Sequence, residues 1–295
     1  MINRPLISVI VNCFNGEKYL REAIDSIYSQ TYENWEIIFW DNVSTDNSAK
    51  IAKTYDKRLR YFRGDRPLKL YSARRLAVEK ASGEYLAFLD VDDWWEPEKL
   101  TKQIEVMLDT NASLVYSSYF FENTIKNKRK IIKATYISSS EKAFNELTGY
   151  SVGLLTLLIR KCSYHKIGGF NDNYHLIGDH DLVLRMSNIY SVCRIDLPLG
   201  HYRWHGNNES VKNAELRIKE IETMLYEYEN ENVYPEDGLQ NIRDGLLYTQ
   251  IKSAVNKNKR ILALNHLSHI KSKKISIKAL SWIVLPKKII NIISA

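Results

Sequence analysis

Three carboxylates stand within four residues, at Asp90, Asp92 and Asp93, directly after the short apolar run Tyr85–Leu89. Carboxylates clustered at the end of a buried strand repel one another and resist desolvation. A divalent cation removes that cost, and Mg²⁺ or Mn²⁺ is often bound by one or two carboxylates together with substrate phosphates. The alternative is a solvated acidic turn, because Asp is a common cap residue and Pro97 can open the next helix.

A second group of ionisable residues marks the predicted start of a helix, where Asp179 and Asp181 flank His180. Asp at a helix N-terminus is normally a cap, worth ~1 kcal/mol, and this explains one of the two carboxylates. His180 has the chemistry of a ligand, but we expect it on an exposed face of the helix. A later polar loop carries His205, which has the chemistry to bind metal or phosphate, although a lone histidine more often does neither.

The segments that must position these residues alternate between strand and helix patterns. Strands are predicted at 6–13, 35–40, 58–63 and 85–89, and helices at 17–30, 44–55 and 71–83. This alternation predicts a parallel sheet with right-handed crossovers, in which ligands bind beyond the carboxyl ends of the strands. The polar residues gather at those ends: Asn12 and Asn15, Asp41 and Asn42, and Asp90 to Asp93.

The helix at 71–83 places two arginines, Arg74 and Arg75, in its first turns. They are either ordinary surface residues or, if the helix faces the site, phosphate ligands suited by the guanidinium fork. Beyond the carboxylates we predict helices at 97–110, 139–147 and 178–186, strands at 113–121, 130–137, 152–159 and 191–202, and a glycine turn at 166–172. The strands at 113–121 and 130–137 read as a hairpin.

Composition limits the classes to consider. The chain has 295 residues, 44% hydrophobic and 26% charged, which suits a globular protein with one large domain or one domain plus an appendage. Three separated cysteines argue against a disulfide framework and a cysteine zinc site, and favour a reducing compartment. We see no secretory signal and no apolar run near the ~20 residues of a spanning helix. A dinucleotide fingerprint and a P-loop are both absent from the sequence, which weakens the dehydrogenase and P-loop classes.

The basic charge of the chain belongs to its last part. Residues 245–295 contain ten Lys or Arg and no Asp or Glu, so residues 1–244 carry 7 − 10 = −3. Helices are predicted at 214–231, 236–255 and 259–270, followed by an amphipathic segment at 275–293 that Pro286 interrupts. Residues 271–295 suit an anionic membrane surface. The alternative is a helix packed on the catalytic domain, and nucleic acid is the weakest partner because no recognised binding fold is present.

Several short motifs together resemble the family 2 glycosyltransferases, which have the GT-A fold. The resemblance covers residues 5–210, about two thirds of the chain, and the motifs are specific in their order and spacing. The motifs are Ile7–Asn15, Asp41–Asp46, Ser72–Arg74, Ser82–Asp93, Gly168–Phe170, Gly178–Leu182 and Tyr202–His205.

The resemblance implies a role for each matching residue. Asp179 falls on the general base, and Mn²⁺ or Mg²⁺ is the implied cofactor. The implied metal ligands are Asp92, Asp93 and His205, and the implied sugar-nucleotide contacts are Asn12, Phe14, Asn15, Asp41, Asn42, Arg74, Asp90 and Val91. Many members have Asp-Asp where this chain has Asp41-Asn42. Because asparagine can donate as well as accept, the nucleobase need not be uracil.

The expected fold is therefore α/β, a GT-A, Rossmann-like, mainly parallel sheet flanked by helices, with a helical C-terminal extension. Residues 1–210 form the predicted catalytic domain (1–95 nucleotide-binding, 96–210 acceptor-binding) and 211–295 the basic extension. The expected activity is inverting transfer from a nucleoside-diphosphate sugar to a glycan or lipid-linked acceptor, in the cytoplasm or at the inner face of the plasma membrane. The alternatives are a catalytically inactive sugar-nucleotide-binding protein and a nucleotidyltransferase, although the latter lacks its glycine-rich N-terminal loop.

Overall fold

The computed structural model describes residues 4–139, 142–149 and 152–285. The chain divides into two compact units, one formed by residues 1–143 and 150–212 and the other by 144–149 and 213–295. The assignment of 1–95, 96–210 and 211–295 to donor binding, acceptor binding and a basic extension stays a prediction.

A nine-stranded mixed sheet forms the centre of the first unit, counted over the described residues. Its main path runs β3-β2-β1-β4-β8-β6-β9-β5, and β7 pairs with β6. The strands are β1 (Ile7–Cys13), β2 (Trp35–Asp41), β3 (Leu59–Arg63), β4 (Tyr85–Asp90), β5 (Trp94–Trp95), β6 (Leu114–Asn123), β7 (Lys128–Ile132), β8 (Leu158–Arg160) and β9 (Val192–Trp204).

The mainly parallel sheet predicted from the sequence is present, but it is interrupted. Strands β3, β2, β1 and β4 are parallel, as are β6 and β9. The short strand β8 runs antiparallel between β4 and β6. All seven residues of β1 and of β2 are buried, as expected for strands that are covered on both faces.

Helices cover the sheet and make up most of the second unit. Those within the first unit are α1 (Leu20–Tyr28), α2 (Ser48–Ala52), α3 (Leu70–Val78), α4 (Lys99–Thr110), α6 (Lys161–Lys166), α7 (Gly178–Ile189) and α8 (Glu209–Lys212). The remaining helices are α5 (Ala143–Leu147), α9 (Ala214–Glu231), α10 (Glu236–Asn256), α11 (Arg260–Leu267) and α12 (Lys273–Val284). Most predicted helices are present, but they are shorter than predicted because their terminal residues form turns outside the regular α-helical hydrogen-bond pattern.

The strand predicted at 152–159 is wrong over residues 152–157. Leu154–Thr156 forms a 3₁₀ turn, and only Leu158–Arg160 is a strand. A short apolar run does not distinguish a buried strand from another buried segment. The strand predicted at 130–137 begins and ends earlier, as β7, and residues 140–141 of the helix predicted at 139–147 lie outside the described residues.

The second unit has a core of its own, to which α10, α11 and α12 contribute. The members of this core are Ile251, Ala254, Val255, Ala263, Ile270, Ala279 and Ile283. The amphipathic segment predicted at 275–293 is helical over Lys273–Val284, and its residues from 286 onward lie outside the described residues. Within the described residues, we find no helix with the length and apolar character needed to span a bilayer.

Candidate active site

The carboxyl end of β4 brings two predicted acidic residues together with two partners. Arg74 of α3 is only 2% exposed and forms an ion pair with Asp90. His205, just beyond β9, places Nε2 3.0 Å from Oδ2 of Asp92. Burial raises the pKa of Asp92, the charge of Asp90 raises it further, and the hydrogen bond with His205 opposes both. One polar cluster at the end of β4 therefore contains four predicted residues: Asp90, Arg74, Asp92 and His205.

The third carboxylate of this loop has a different environment. Asp93 is 3% exposed, and its Oδ1 accepts a hydrogen bond of 2.8 Å from the backbone N–H of Arg203. Burial raises its pKa well above the usual range, and the charges of Asp92 and Asp90 add to the increase. Asp93 thus links the loop after β4 to β9, and its role as a metal ligand stays a prediction.

Arg203 connects three elements around this loop. Its Nε donates a 2.8 Å hydrogen bond to the carbonyl oxygen of Asp92, and its guanidinium pairs with Glu22 of α1. The guanidinium also lies 4.2 Å from the ring centre of Trp94 and 4.6 Å from that of Tyr19. Sequence reasoning did not single out Arg203, although it lies within the Tyr202–His205 motif.

Asp179 stands at the start of α7, against a buried tyrosine of α3. A Cβ on Gly178 would lie 2.5 Å from the ring of Tyr71, so glycine is required for this close approach. Burial raises the pKa of Tyr71 well above its usual value, and the charge of Asp179 and a hydrogen bond to it add to the effect. Asp179 is 8% exposed and accepts a 2.9 Å hydrogen bond from the N–H of His180. Tyr71 is a second residue that the sequence did not reveal.

Asp181 and His180 differ from Asp179 in their surroundings. Asp181 accepts hydrogen bonds from the guanidinium of Arg185, the shorter at 2.6 Å, and Arg185 also donates to the carbonyl oxygens of Ile167 and Gly169. This arrangement fixes the glycine turn before α7. The expectation that His180 is exposed is wrong, because α7 is buried over most of its first half and leaves His180 5% exposed.

Unpartnered polar atoms lie at the ends of β1 and β2. Both amide atoms of Asn12, which is 8% exposed, lack a hydrogen-bond partner among the described residues, and so does the indole Nε1 of Trp40. The register pairs Asn12 with Trp40 and with Asp90, so the three side chains project from the same face of the sheet. An orphaned buried amide costs free energy unless a ligand or water satisfies it. Trp40 was not predicted as a site residue.

The next residues along β2 are occupied by contacts within the protein. Asp41 is fully buried and accepts hydrogen bonds of 2.6 Å from Tyr61, Arg63 and the N–H of Ser44. Asn42 uses both amide atoms on the backbone of Leu68, at 3.0 and 3.1 Å. These bonds shape the loops beside the predicted nucleotide site. The predicted contact of each residue with the nucleotide stays a prediction.

The turn after β1 is held in the same way. Asn15 has a left-handed backbone (φ 53°), and its Oδ1 accepts a 2.8 Å hydrogen bond from the N–H of Thr45. Val91 approaches the same turn so closely that a Cβ on Gly16 would lie 2.7 Å from its methyl group. Phe14 is 58% exposed, which leaves its ring available to a planar ligand. The three predicted residues therefore surround one turn.

The side chains at the end of β4 can be compared with the ligands that a divalent cation requires. In the described part of the chain, no three His, Cys, Asp or Glu side chains are arranged as a complete metal site. Mg²⁺ and Mn²⁺ do not require one, since substrate phosphates commonly supply part of the coordination. The donor chemistry fits: Asp92 is a partly buried carboxylate beside Asp90. It also has an imidazole nitrogen at 3.0 Å.

The sequence of this chain is similar to a family model and to several curated proteins. The family model described as glycosyl transferase family 2 matches residues 8–165, more than half of the chain. The protein from Escherichia coli described as UDP-Glc:alpha-D-GlcNAc-diphosphoundecaprenol beta-1,3-glucosyltransferase WfgD is 33% identical over 52% of this chain. The match spans 60% of that protein, and the match to an uncharacterized glycosyltransferase from Rickettsia bellii spans 31% of that relative.

Solved structures share the fold. Staphylococcus aureus TarS in complex with UDP-GlcNAc superposes with a TM-score of 0.69 at 15% identity, over 91% of this chain and 82% of that one. The Pyrobaculum calidifontis mannosyltransferase PcManGT, in complex with GDP-Man and Mn²⁺, gives 0.64 at 14% identity, over 96% and 86%. These likenesses confirm the expected fold class, and the family model agrees with the motifs at the ends of β1, β2 and β4: the chain belongs to glycosyl transferase family 2.

Proposed function

We propose that this chain transfers a sugar from a nucleoside-diphosphate sugar to a hydroxyl group of a glycan or lipid-linked acceptor, with inversion at the anomeric carbon. The observation that carries the proposal is the group at the end of β4, where Asp90 pairs with Arg74 and Asp92 with His205. The charges of both Asp93 and Asp179 raise the pKa of Tyr119, after burial, to about 12. This supports a common reaction site between the loop after β4 and the start of α7.

Asp179 is the proposed general base. In the reaction, the acceptor oxygen forms a bond to the anomeric carbon, while the bond from that carbon to the diphosphate oxygen breaks. The electron pair leaves with the diphosphate, and the hydroxyl proton passes to the Asp179 carboxylate. Tyr71, which is packed against Gly178 and hydrogen-bonded to Asp179, holds this carboxylate in place.

A divalent cation, Mn²⁺ or Mg²⁺, is the proposed cofactor, and Asp92, His205 and Asp90 would hold it. When bound, it neutralises negative charge on the leaving diphosphate. The donor chemistry of these residues supports this assignment, and the PcManGT complex contains Mn²⁺. Arg74 would orient Asp90 through their ion pair.

The donor class rests on the orphaned amide of Asn12 and on the exposed ring of Phe14 at the ends of the first strands. TarS binds UDP-GlcNAc, PcManGT binds GDP-Man, and the name of WfgD specifies UDP-Glc. We therefore propose a sugar nucleotide without specifying the base. Asn12 offers it both a donor and an acceptor.

The basic extension is the proposed contact with an anionic membrane surface. On α12, Ile277 and Val284 are 71% and 66% exposed, and Leu280 continues the same stripe. Lys274 and Lys278 flank it. A helix of this type lies in the bilayer interface, and anionic lipid adds attraction for each lysine. Co-sedimentation with phosphatidylglycerol vesicles tests this, and equal binding to phosphatidylcholine vesicles would contradict it.

The central test is thermal stabilisation by UDP, GDP, dTDP and CDP, each with and without Mn²⁺, because a ligand that binds only the native state must raise its stability. We expect a shift for at least one nucleotide that depends on metal and is lost in Asp92→Ala. Asp179→Asn should keep the shift but lose transfer. If no nucleotide shifts the folded protein, the proposed function is wrong, and if Asp179→Asn transfers normally, only the assignment of the base is wrong.

A further inference from the structure

The hairpin formed by β6 and β7 carries a concentration of positive charge. Between Glu122 and Glu141 the chain has five basic residues and no acidic one. The five are Lys126, Lys128, Arg129, Lys130 and Lys133, and the first four strand residues of β7 are exposed. The two faces of this hairpin use their charges differently.

One face is neutralised within the protein. Arg129 lies opposite Glu122 in the register and forms an ion pair of 2.6 Å with it. Glu122 also lies 2.8 Å from the ring of His201, which is stacked between Trp94 and Phe120. This face therefore has its own counter-charges.

The other face keeps its charges unpaired. Lys128 and Lys130 alternate with Arg129 and so project to the opposite side. Within the described ranges, the hairpin's ion pair is that of Arg129, and neither Lys128 nor Lys130 has a carboxylate within 4.0 Å of its ammonium group. Lys130 lies instead 4.9 Å from the ring centre of Phe121, its partner in the register.

Aromatic side chains join this face to the proposed reaction site. Strand alternation places Tyr119 and Phe121 on the same side of β6. On the neighbouring strand β9, the residue after Tyr202 is Arg203, whose backbone N–H donates a 2.8 Å hydrogen bond to Asp93 of the loop after β4. The register also aligns Phe121 with Tyr202 and Asn123 with Trp204, and the rings of Phe121 and Tyr202 are 5.8 Å apart. These aromatic residues are only partly buried, so they form a surface along which a sugar chain can stack.

We propose that the face of the β6–β7 hairpin that carries Lys128 and Lys130 binds the diphosphate group of the acceptor's lipid carrier. The two lysines stand two residues apart, about 7 Å along the strand, which suits two adjacent phosphoryl groups. The aromatic surface then guides the attached glycan to Asp179. The inference rests on the proposed transfer function and specifies its acceptor as a glycan linked through a diphosphate to lipid.

The test uses the full chain and farnesyl diphosphate as the probe, with farnesol as the uncharged counterpart. EDTA is present in one series, so that metal does not hold the probe at the donor site. A second series contains Mn²⁺ and a saturating nucleoside diphosphate. We expect Lys128→Gln with Lys130→Gln to raise the Kd for farnesyl diphosphate by about tenfold or more in both series, since two charge-assisted contacts are lost. Farnesol should bind more weakly than the diphosphate.

The matched control is Lys50→Gln with Lys57→Gln, two exposed lysines on the β2–β3 side of the sheet, and its Kd should stay within about twofold of wild type. An unchanged Kd in the hairpin variant, equal weakening in the control, or equal binding of farnesol would overturn the proposal. The proposal would also be overturned if the hairpin variant no longer bound phosphatidylglycerol vesicles but still bound farnesyl diphosphate with the wild-type Kd. The lysines would then bind a membrane surface and not the diphosphate group. A retained nucleotide shift in the hairpin variant shows that the donor site is intact, so failure here is distinguishable from failure of the transfer function.

Discussion

Two acidic groups lie at the same edge of the sheet, and their environments are opposite. After β2, Asp41 is fully buried, and burial raises its pKa. Hydrogen bonds from Tyr61 and Ser44 and the charge of Arg63 outweigh that effect and leave the pKa lowered. After β4, burial and like charge leave the pKa values of Asp92 and Asp93 raised, despite partners in His205 and Arg203.

The difference separates residues that stabilise the fold from the residues proposed to bind a ligand. A carboxylate with a lowered pKa contributes stability as an anion, whereas one with a raised pKa is held as an anion at a cost. Strained or costly arrangements persist where function requires them, and other interactions offset them. The same contrast recurs on α7, where Asp181 has a salt bridge to Arg185 at 2.6 Å and Asp179 is the proposed general base.

The largest expected effect comes from substituting Asp179 and Asp181, the two carboxylates at the start of α7, one at a time. Asp179→Asn keeps the shape of the side chain but removes the proposed base, so we expect kcat to fall by about 10³-fold, within the range for general-base catalysis. Nucleotide-induced thermal shifts should remain. Asp181→Asn is the comparison: it should lower the unfolding temperature, because Arg185 loses its charged partner, and reduce kcat far less. A larger loss of kcat in Asp181→Asn would reverse the assignment.

Asp41→Asn tests the stabilising group. We expect the free energy of unfolding at pH 7 to fall by about 2 kcal/mol, because the buried bonds to Tyr61 and Arg63 lose their charge. Since the folded pKa is lowered, this stability is present above the unfolded value of about 3.9 and is lost as pH falls through the folded pKa. Urea unfolding at pH 7 and near pH 3 should therefore show a difference from wild type that shrinks in acid. A constant difference would contradict the pKa argument.

Asp92→Asn should act in the opposite direction. Removing one of the repelling carboxylates should raise the free energy of unfolding by about 1 kcal/mol in EDTA, as expected when a functional site is relaxed. The Mn²⁺-dependent nucleotide shift should disappear at the same time. Calorimetry with and without Mn²⁺ measures both effects. Loss of stability in EDTA would show that Asp92 belongs with Asp41 rather than with the ligand-binding group.

The sequence reveals a site residue only when the signal for it is local, and it misses contacts between residues that are far apart along the chain. The sequence singles out Asp90, Asp92 and Asp179 because short motifs place them after a strand or at a helix start. Arg203 lies more than a hundred residues from the loop that it holds, and Tyr71 lies as far from Asp179. Neither contact produces a local pattern, since each depends on which elements the fold brings together.

The sheet shows the same limit. Alternating strands and helices predict β1 to β4, because parallel crossovers follow local rules. The antiparallel insertion of β8 between β4 and β6 follows from pairing across more than forty residues. The apolar run at 152–159 carries no signal that Leu154–Thr156 turns and only Leu158–Arg160 pairs.

The smallest expected effect concerns a buried cation rather than an anion. Lys99 of α4 is fully buried, with Nζ 2.5 Å from Oε1 of Gln103, and burial holds its pKa well below the usual value. The unfolded chain therefore binds more protons, so wild-type stability rises with pH up to about 10.4. We expect Lys99→Met to add about 0.5–1 kcal/mol at pH 7 and less near pH 10. Lys102→Met, on the same helix but partly exposed, should show no such pH dependence. If Lys99→Met raises the free energy of unfolding equally at both pH values, the gain comes from packing and not from removing the cost of a buried charge. Lys99 would then not be a costly buried charge, and the contrast with the stabilising carboxylate Asp41 would not extend to it.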